Sequence, residues 1–336
     1  MNSTADRAYI YAKACGIIGK SFVGNRIKRL QDINRLSELD RLIFPNDFVE
    51  LPEKELLVAF QKKVIARTTH QINQLLKTQP SIPRFIELLV RSYEFADVKL
   101  LISALIDKEP QAPSHADLGR FETVHFEKYP DPKGMFTGTD FEWLLKRLGD
   151  NQNELVKLHI ELDQHYYSIL WNELQKVSST DIKYIRDIIS DEIVLKNILW
   201  ALRLSYYYHF EKKDIEPLLL DLYDGKYSLS QAARDCLDLP FDQYSAWTNF
   251  KYAFLINGEE PGTFWRLDVP HVQRKAALLL YRKARIYFRR SPFSLNTTAC
   301  FIKLKQFEED LLISLAEGVS LGLSGREVLS MLEVSQ

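Results

Sequence analysis

Apolar residues return at intervals of three, four and seven along most of this chain, the period at which an α-helix presents one face. The periodic stretches are long. Glycine and proline, 13 of each in 336 residues, collect between them. Proline lacks an amide donor and biases its predecessor out of the helical region, so these clusters mark connections. Three stretches read as loops on this basis: 109–114, 129–139 and 257–270. Thr139 with Glu142, Ser228 with Gln231, and Ser324 with Glu327 have the spacing of a capping box. There a hydroxyl and a side chain three residues on satisfy the free amides of a helix start. Asp224-Gly225 falls between helical patterns rather than between two alternating apolar runs, so strand signals are thin. The pattern predicts an all-α fold.

One pattern occurs three times. Glu94, Glu192 and Glu308 each have an apolar residue four positions before (Val90, Ile188, Leu304) and a leucine seven after (Leu101, Leu199, Leu315). Steps of four and seven return to one helical face, so each copy sets a carboxylate in line with an apolar stripe. A carboxylate near a packed face is costly to desolvate without a partner. Each copy offers a base one turn away: Arg91, Lys196 and Lys305. The repeat length is about 100 to 115 residues, and three such units fill the chain. The expected division is 5–115, 116–227 and 228–336.

Composition narrows the function classes. Hydrophobic residues make up 46% and charged residues 26%, with 44 Lys plus Arg against 45 Asp plus Glu and a formal charge of −1. Nucleic-acid binders usually carry a basic excess or a concentrated basic stripe, and neither is obvious here. Residues 1–9 carry charge early and lack the apolar core of a signal peptide. No window approaches the roughly 18 apolar residues of a spanning helix. The expected location is the cytoplasm. Cys15, Cys236 and Cys300 are far apart and odd in number, which argues for a reducing compartment.

Four segments could carry chemistry. Ala14-Cys15-Gly16-Ile17-Ile18-Gly19-Lys20-Ser21 fits a relaxed phosphate-loop pattern, with Asp221 as the nearest imitation of its acidic partner. Such a loop needs a strand before it and a helix after it. The competing reading places it in the first helix or a kink of that helix, with small residues permitting close helix approach. His159, Glu161, Asp163 and His165 have helical spacing, but the pairs 159/163 and 161/165 point to nearly opposite faces, as on a solvated helix. Tyr206-Tyr207-Tyr208 could stack bases, yet little basic residue interleaves it, which favours packing. Arg282, Lys283, Arg285, Arg289 and Arg290 form the most basic stretch. It reads either as a solvated face or as a surface for acidic partners or lipid headgroups.

The opening Tyr9-Ile10-Tyr11-Ala12-Lys13-Ala14 and the segment Phe301–Leu312, followed by Gly318 and Leu321-Gly322-Leu323-Ser324, resemble the AC39 family, the C-type or d-type stalk subunits of V-type and A-type rotary ATPases. The Glu94 and Glu192 segments look like earlier copies of the same helix. The resemblance runs from about residue 5 to about residue 332. It implies three similar helical domains around a pseudo-threefold axis, forming a funnel. It also implies a non-catalytic central-stalk adapter, one copy per complex, between the D- and F-type shaft subunits and the membrane proteolipid ring. Such an adapter has no active site, cofactor or metal, binds no nucleic acid, and lies peripherally on the cytoplasmic membrane face. The alternative is a helical nucleotide-binding enzyme using residues 14–21, with Lys20 and Asp221 at the nucleotide.

Overall fold

A computed structural model describes residues 4–334, apart from 49, 78, 80–81, 149–154, 178 and 260–261. The chain is all-α. Its described helices begin with α1 (Thr4–Lys20), α2 (Leu36–Ile43), α3 (Glu53–Leu76), α4 (Arg84–Ile106), α5 (Pro132–Phe136) and α6 (Leu155–Gln175). They continue with α7 (Ser179–Tyr206), α8 (Lys212–Ile215), α9 (Gln231–Cys236), α10 (Tyr244–Trp247), α11 (Val269–Arg290), α12 (Leu295–Ser320) and α13 (Gly325–Met331). Among the described residues the β structure is one antiparallel pair, β1 (Tyr223–Asp224) and β2 (Tyr227–Ser228), turned at Gly225 with φ +62°.

The chain divides into two compact units. One comprises Met1–Leu75 and Ser178–Gln336, the other Leu76–Val177. In the first, α11 packs on α12 and α7, and α12 also packs on α7, α1 and α13. α12 is buried at Phe301, Leu304, Glu308, Leu311, Leu315 and Val319, steps of three and four that follow one face. Burial also takes in Ile302, Lys305, Leu312 and Ala316, so neighbours cover more than a single stripe. The second unit rests on α4 against α6, with 3-10 turns at Gly119–Phe121, Phe126–Lys128 and Glu142–Lys146 between them.

The helix-start signals fared unevenly. Ser324 and Glu327 form their capping box: the Ser324 hydroxyl accepts from the Glu327 amide at 3.3 Å, and Glu327 accepts from the Ser324 amide at 2.7 Å. Thr139–Glu142 opens only a 3-10 turn, because Thr139 accepts from Phe141 and Glu142 reaches back to Gly138. Ser228 ends β2 and accepts from the Ser230 amide, so α9 starts two residues later than the pattern suggested. The loop expected at 129–139 contains the short α5, begun by Asp131, whose side chain accepts from the Lys133 amide.

Two glycines near the chain's end are there for space. A Cβ on Gly318 would lie 2.4 Å from Cγ2 of Val328, and one on Gly325 would lie 2.1 Å from the Leu30 carbonyl oxygen. The Gly325 amide also donates to the Ile33 carbonyl at 2.7 Å, so α13 is pinned against the 3-10 turn Gly24–Leu30 and the residues after it. Alanine is the better helix former by about 1 kcal/mol, yet Gly325→Ala should lower the unfolding free energy by about 1–3 kcal/mol through overpacking. Urea denaturation checks this; an unchanged or raised midpoint would show that the backbones move apart freely.

Candidate functional site

In the unit Leu76–Val177, Glu94 and Arg91 face each other on one turn of α4, both side chains almost fully buried. Arg91 Nε donates to Glu94 Oε2 at 2.7 Å. Glu94 Oε1 accepts from the amides of Thr123 at 2.5 Å and Val124 at 2.8 Å. Arg91 also donates through Nη1 to Asp140 and through Nη2 to the Thr123 hydroxyl, and Asp140 takes Arg84 at 2.6 Å. Desolvation raises the Asp140 pKa, but the guanidiniums of Arg91 and Arg84 outweigh it and hold the carboxyl below its ordinary value. Every charge here has a partner, which is what burial requires. The cluster fastens α4 to the segment after it.

The unit containing α12 holds a second joint of the same design. Lys305 bonds Glu308 one turn along, Arg67 reaches Glu308 Oε1 at 3.3 Å, and the Phe22 amide donates to the same oxygen at 2.7 Å. Lys305 also donates to the Ser21 hydroxyl at 3.2 Å. Burial alone would raise the Glu308 pKa; Lys305, Arg67 and the Phe22 amide overcome that and lower it. Burial draws the Lys305 ammonium toward release, but with two cations and an amide on one carboxylate, the charged glutamate is the firm member. A carboxyl so depressed stabilises the fold above its unfolded pKa and loses that contribution as pH falls through its folded value.

On α7 the arrangement differs. Glu192 is held by Lys303 of α12, at 2.7 Å to Oε2, a partner the local sequence could not offer. The ammonium of Lys196 lies 5.5 Å from the ring centre of Trp200. The α7 side chain that grips the following segment is Asn197, fully buried, which accepts from the Leu220 amide at 2.7 Å and donates to the carbonyls of Leu220 and Leu229. A neutral amide thus does on α7 what a glutamate does on α4 and α12.

The basic stretch of α11 is split by its helical faces. Tyr281, Ala284 and Phe288 are buried. Lys283 turns to α7 and bonds Asp187 at 2.9 Å and Asp191, while the Tyr287 hydroxyl donates to Asp187 at 2.7 Å. Burial costs the Lys283 ammonium, but the two aspartates more than compensate and raise its pKa; desolvation and Asp187 push Tyr287 to about 12. Arg282, Arg285, Arg289 and Arg290 stay exposed.

The remaining segments form no chemical site. Residues 14–20 belong to the continuous α1, so their amides are committed to the helix and cannot cradle phosphates. Asp221 is taken by Ser230 at 3.0 Å and Arg234 at 3.1 Å. Nor do the glycines serve close approach: a Cβ on Gly16 or Gly19 would meet nothing within 4 Å. On α6, Asp163 pairs with Lys99 at 2.7 Å and Glu161 with Arg147 at 2.6 Å. His165 packs against Phe95 and Trp143, so this helix is a half-buried packing surface rather than the solvated face expected. Tyr206 packs on Tyr207 and Phe241, but Tyr207 and Tyr208 are about half exposed, where packing was expected to cover them.

Among the described residues, the buried charges of α4 and α12 are spent on joints with other parts of the chain, and α11 carries an exposed cationic face. The sequence profile of the ATP synthase (C/AC39) subunit family matches residues 38–331. The chain belongs to that family, and its class is that of a subunit of a V/A-type ATPase. An uncharacterized protein of Treponema pallidum (strain Nichols) is 26% identical over 325 residues, which span 94% of this chain and 92% of that one. No described helix is long and apolar enough to cross a membrane.

Two substitutions separate the roles. Arg91→Met should cost about 3–5 kcal/mol in urea unfolding, because Glu94 and Asp140 lose a buried partner. Glu94→Gln should cost less, about 1–3 kcal/mol, because its amide oxygen still accepts from Thr123 and Val124. The reverse order would show that the carboxylate, not the guanidinium, organises the cluster. In α1, Gly16→Ala with Gly19→Ala should raise the melting temperature, each being worth up to about 1 kcal/mol in an exposed helix. A fall would mean those glycines are needed for a bent or open conformation.

Proposed function

We propose that the chain is the central-stalk adapter of a rotary V/A-type ATPase, carrying torque between the D- and F-type shaft subunits and the membrane proteolipid ring. The observation that carries this reading is the family match over residues 38–331. The joints support it physically. Torque transfer needs helices that do not slide, and fully partnered buried charges resist sliding because any displacement leaves a charge desolvated and unpaired. Close-packed interiors pass strain on rather than absorbing it.

The three-repeat organisation, 5–115, 116–227 and 228–336 around a pseudo-threefold axis, belongs to the same proposal. It is supported by α4, α7 and α12 each carrying a buried polar residue (Glu94, Asn197, Glu308) that bonds backbone amides outside its own helix. The adapter acts on the cytoplasmic membrane face, one copy per complex, and performs no chemistry of its own. For the enzyme alternative at Lys20 and Asp221, the helical course of residues 14–20 is adverse.

An affinity tag on the full chain should bring down the shaft subunits and the proteolipid ring from detergent-solubilised membranes of the native organism. ATP binding measured on the isolated chain should be absent, and Lys20→Ala should change nothing. Purification without any other rotary-ATPase protein, or ATP binding abolished by Lys20→Ala, would overturn the proposal.

A further inference from the structure

The exposed arginines of α11 border a cavity of about 380 Å³ between α11, the 3-10 turn Gly24–Leu30 and the residues after α13. Its cationic lining is Lys28, Arg282 and Arg285, and its apolar lining includes Leu278 and Ile286, the latter 48% exposed. Arg282 and Arg285 are one turn apart, with Arg289 one turn further on the same helical stripe. Among the described residues, Lys28, Arg282 and Arg289 form no side-chain hydrogen bond or ion pair, and Arg285 lies over the Tyr281 ring, 6.0 Å from its centre. Lys283 on the same helix has two aspartates. The one acidic residue of the lining, Glu333, is bonded by Lys275 and faces His271 at 3.8 Å. The wall thus carries an uncompensated positive charge in a chain whose net charge is −1.

The chemistry of the wall selects its occupant. A nucleobase would need a free aromatic face, but Tyr281 stacks on Phe307 at 3.9 Å, lies under Arg285 and has its hydroxyl engaged by the Gly24 amide. A bilayer presents a broad surface, whereas these cations border a recess with an apolar side. Arginine forks pair with carboxylates in two-point geometry and recur in protein interfaces beside apolar contacts. We infer that this groove docks an acidic segment of a partner protein, its carboxylates on Lys28, Arg282 and Arg285 and an apolar side chain against Ile286. The inference rests on the adapter reading for the partner's identity, another protein of the rotary ATPase. The groove's preference for carboxylates does not depend on it.

Two measurements test it. Fluorescein-labelled octaglutamate titrated with the isolated full chain should bind, weaken as salt is raised, and bind about tenfold more weakly to the Arg282→Ala/Arg285→Ala variant, two lost charge contacts of roughly 0.7 kcal/mol each. The control Lys54→Ala/Lys62→Ala should bind as the parent does. Equal affinity for all three proteins, or loss seen only with phosphatidylserine vesicles, overturns the inference. In the tag-purified native complex, a photo-crosslinking benzoylphenylalanine at position 286 should join an acid-rich peptide of another ATPase protein, and Arg282→Glu/Arg285→Glu should abolish the product. If no other ATPase protein copurifies while octaglutamate binding behaves as stated, the adapter reading fails and the groove's chemistry stands. If the complex purifies but position 286 joins a peptide without acidic residues, the docking inference fails and the adapter reading stands.

Discussion

A carboxylate removed from water must be matched by cations and amides, and this requirement sets how α12 meets α3 and the end of α1, and how α4 meets the segment after it. Glu308 illustrates it: Lys305 lies on its own helix, Arg67 on α3, and the Phe22 amide just beyond α1. Three elements distant in sequence are held at one atom pair. Apolar burial is non-directional, whereas a buried ion pair with shared amides holds only in a narrow geometry. Glu94 imposes the same condition on α4 and the stretch around Thr123.

Apolar packing supplies the bulk of the stability and the polar joints supply its register. The apolar core of α12 is made of leucine, isoleucine, valine, phenylalanine, alanine and one cysteine, residues that pack in more than one rotation of a helix. Fixing one rotation is the task of Lys305 and Glu308. Similarly, Lys283 and Tyr287 meeting Asp187 decide which side of α11 faces α7, and this leaves the arginines at 282, 285 and 289 outward.

Much of this was legible in the sequence, and the boundary of legibility is physical. The helical class follows from periodicity, and the bases at −3 from Glu94 and Glu308 are one turn away, so local spacing finds them. Phe22 and Val124 contribute through backbone amides, and Thr123 through its amide as well as its hydroxyl; every residue but proline has such an amide, so residue type does not mark these positions. Asn197 lies outside the glutamate pattern because on α7 a neutral amide performs the same task. Lys283 could not be told from its arginine neighbours without knowing that Asp187 and Asp191 lie opposite. The capping pattern at 324–327 formed, whereas those at 139–142 and 228–231 did not, since a four-residue signature competes with whatever the surrounding chain requires.

The unit comprising Met1–Leu75 and Ser178–Gln336 is discontinuous, and this orders events during synthesis. The Arg91–Glu94–Asp140 cluster lies within residues 76–177 and can close soon after that stretch leaves the ribosome. Phe22 must wait for Glu308, 286 residues later, an interval of about 15–60 s at roughly 5–20 residues per second. Throughout it the apolar side of α1 stands without α12, its closing surface. The nascent N-terminal helices are therefore the part of this chain most in need of shelter by a chaperone.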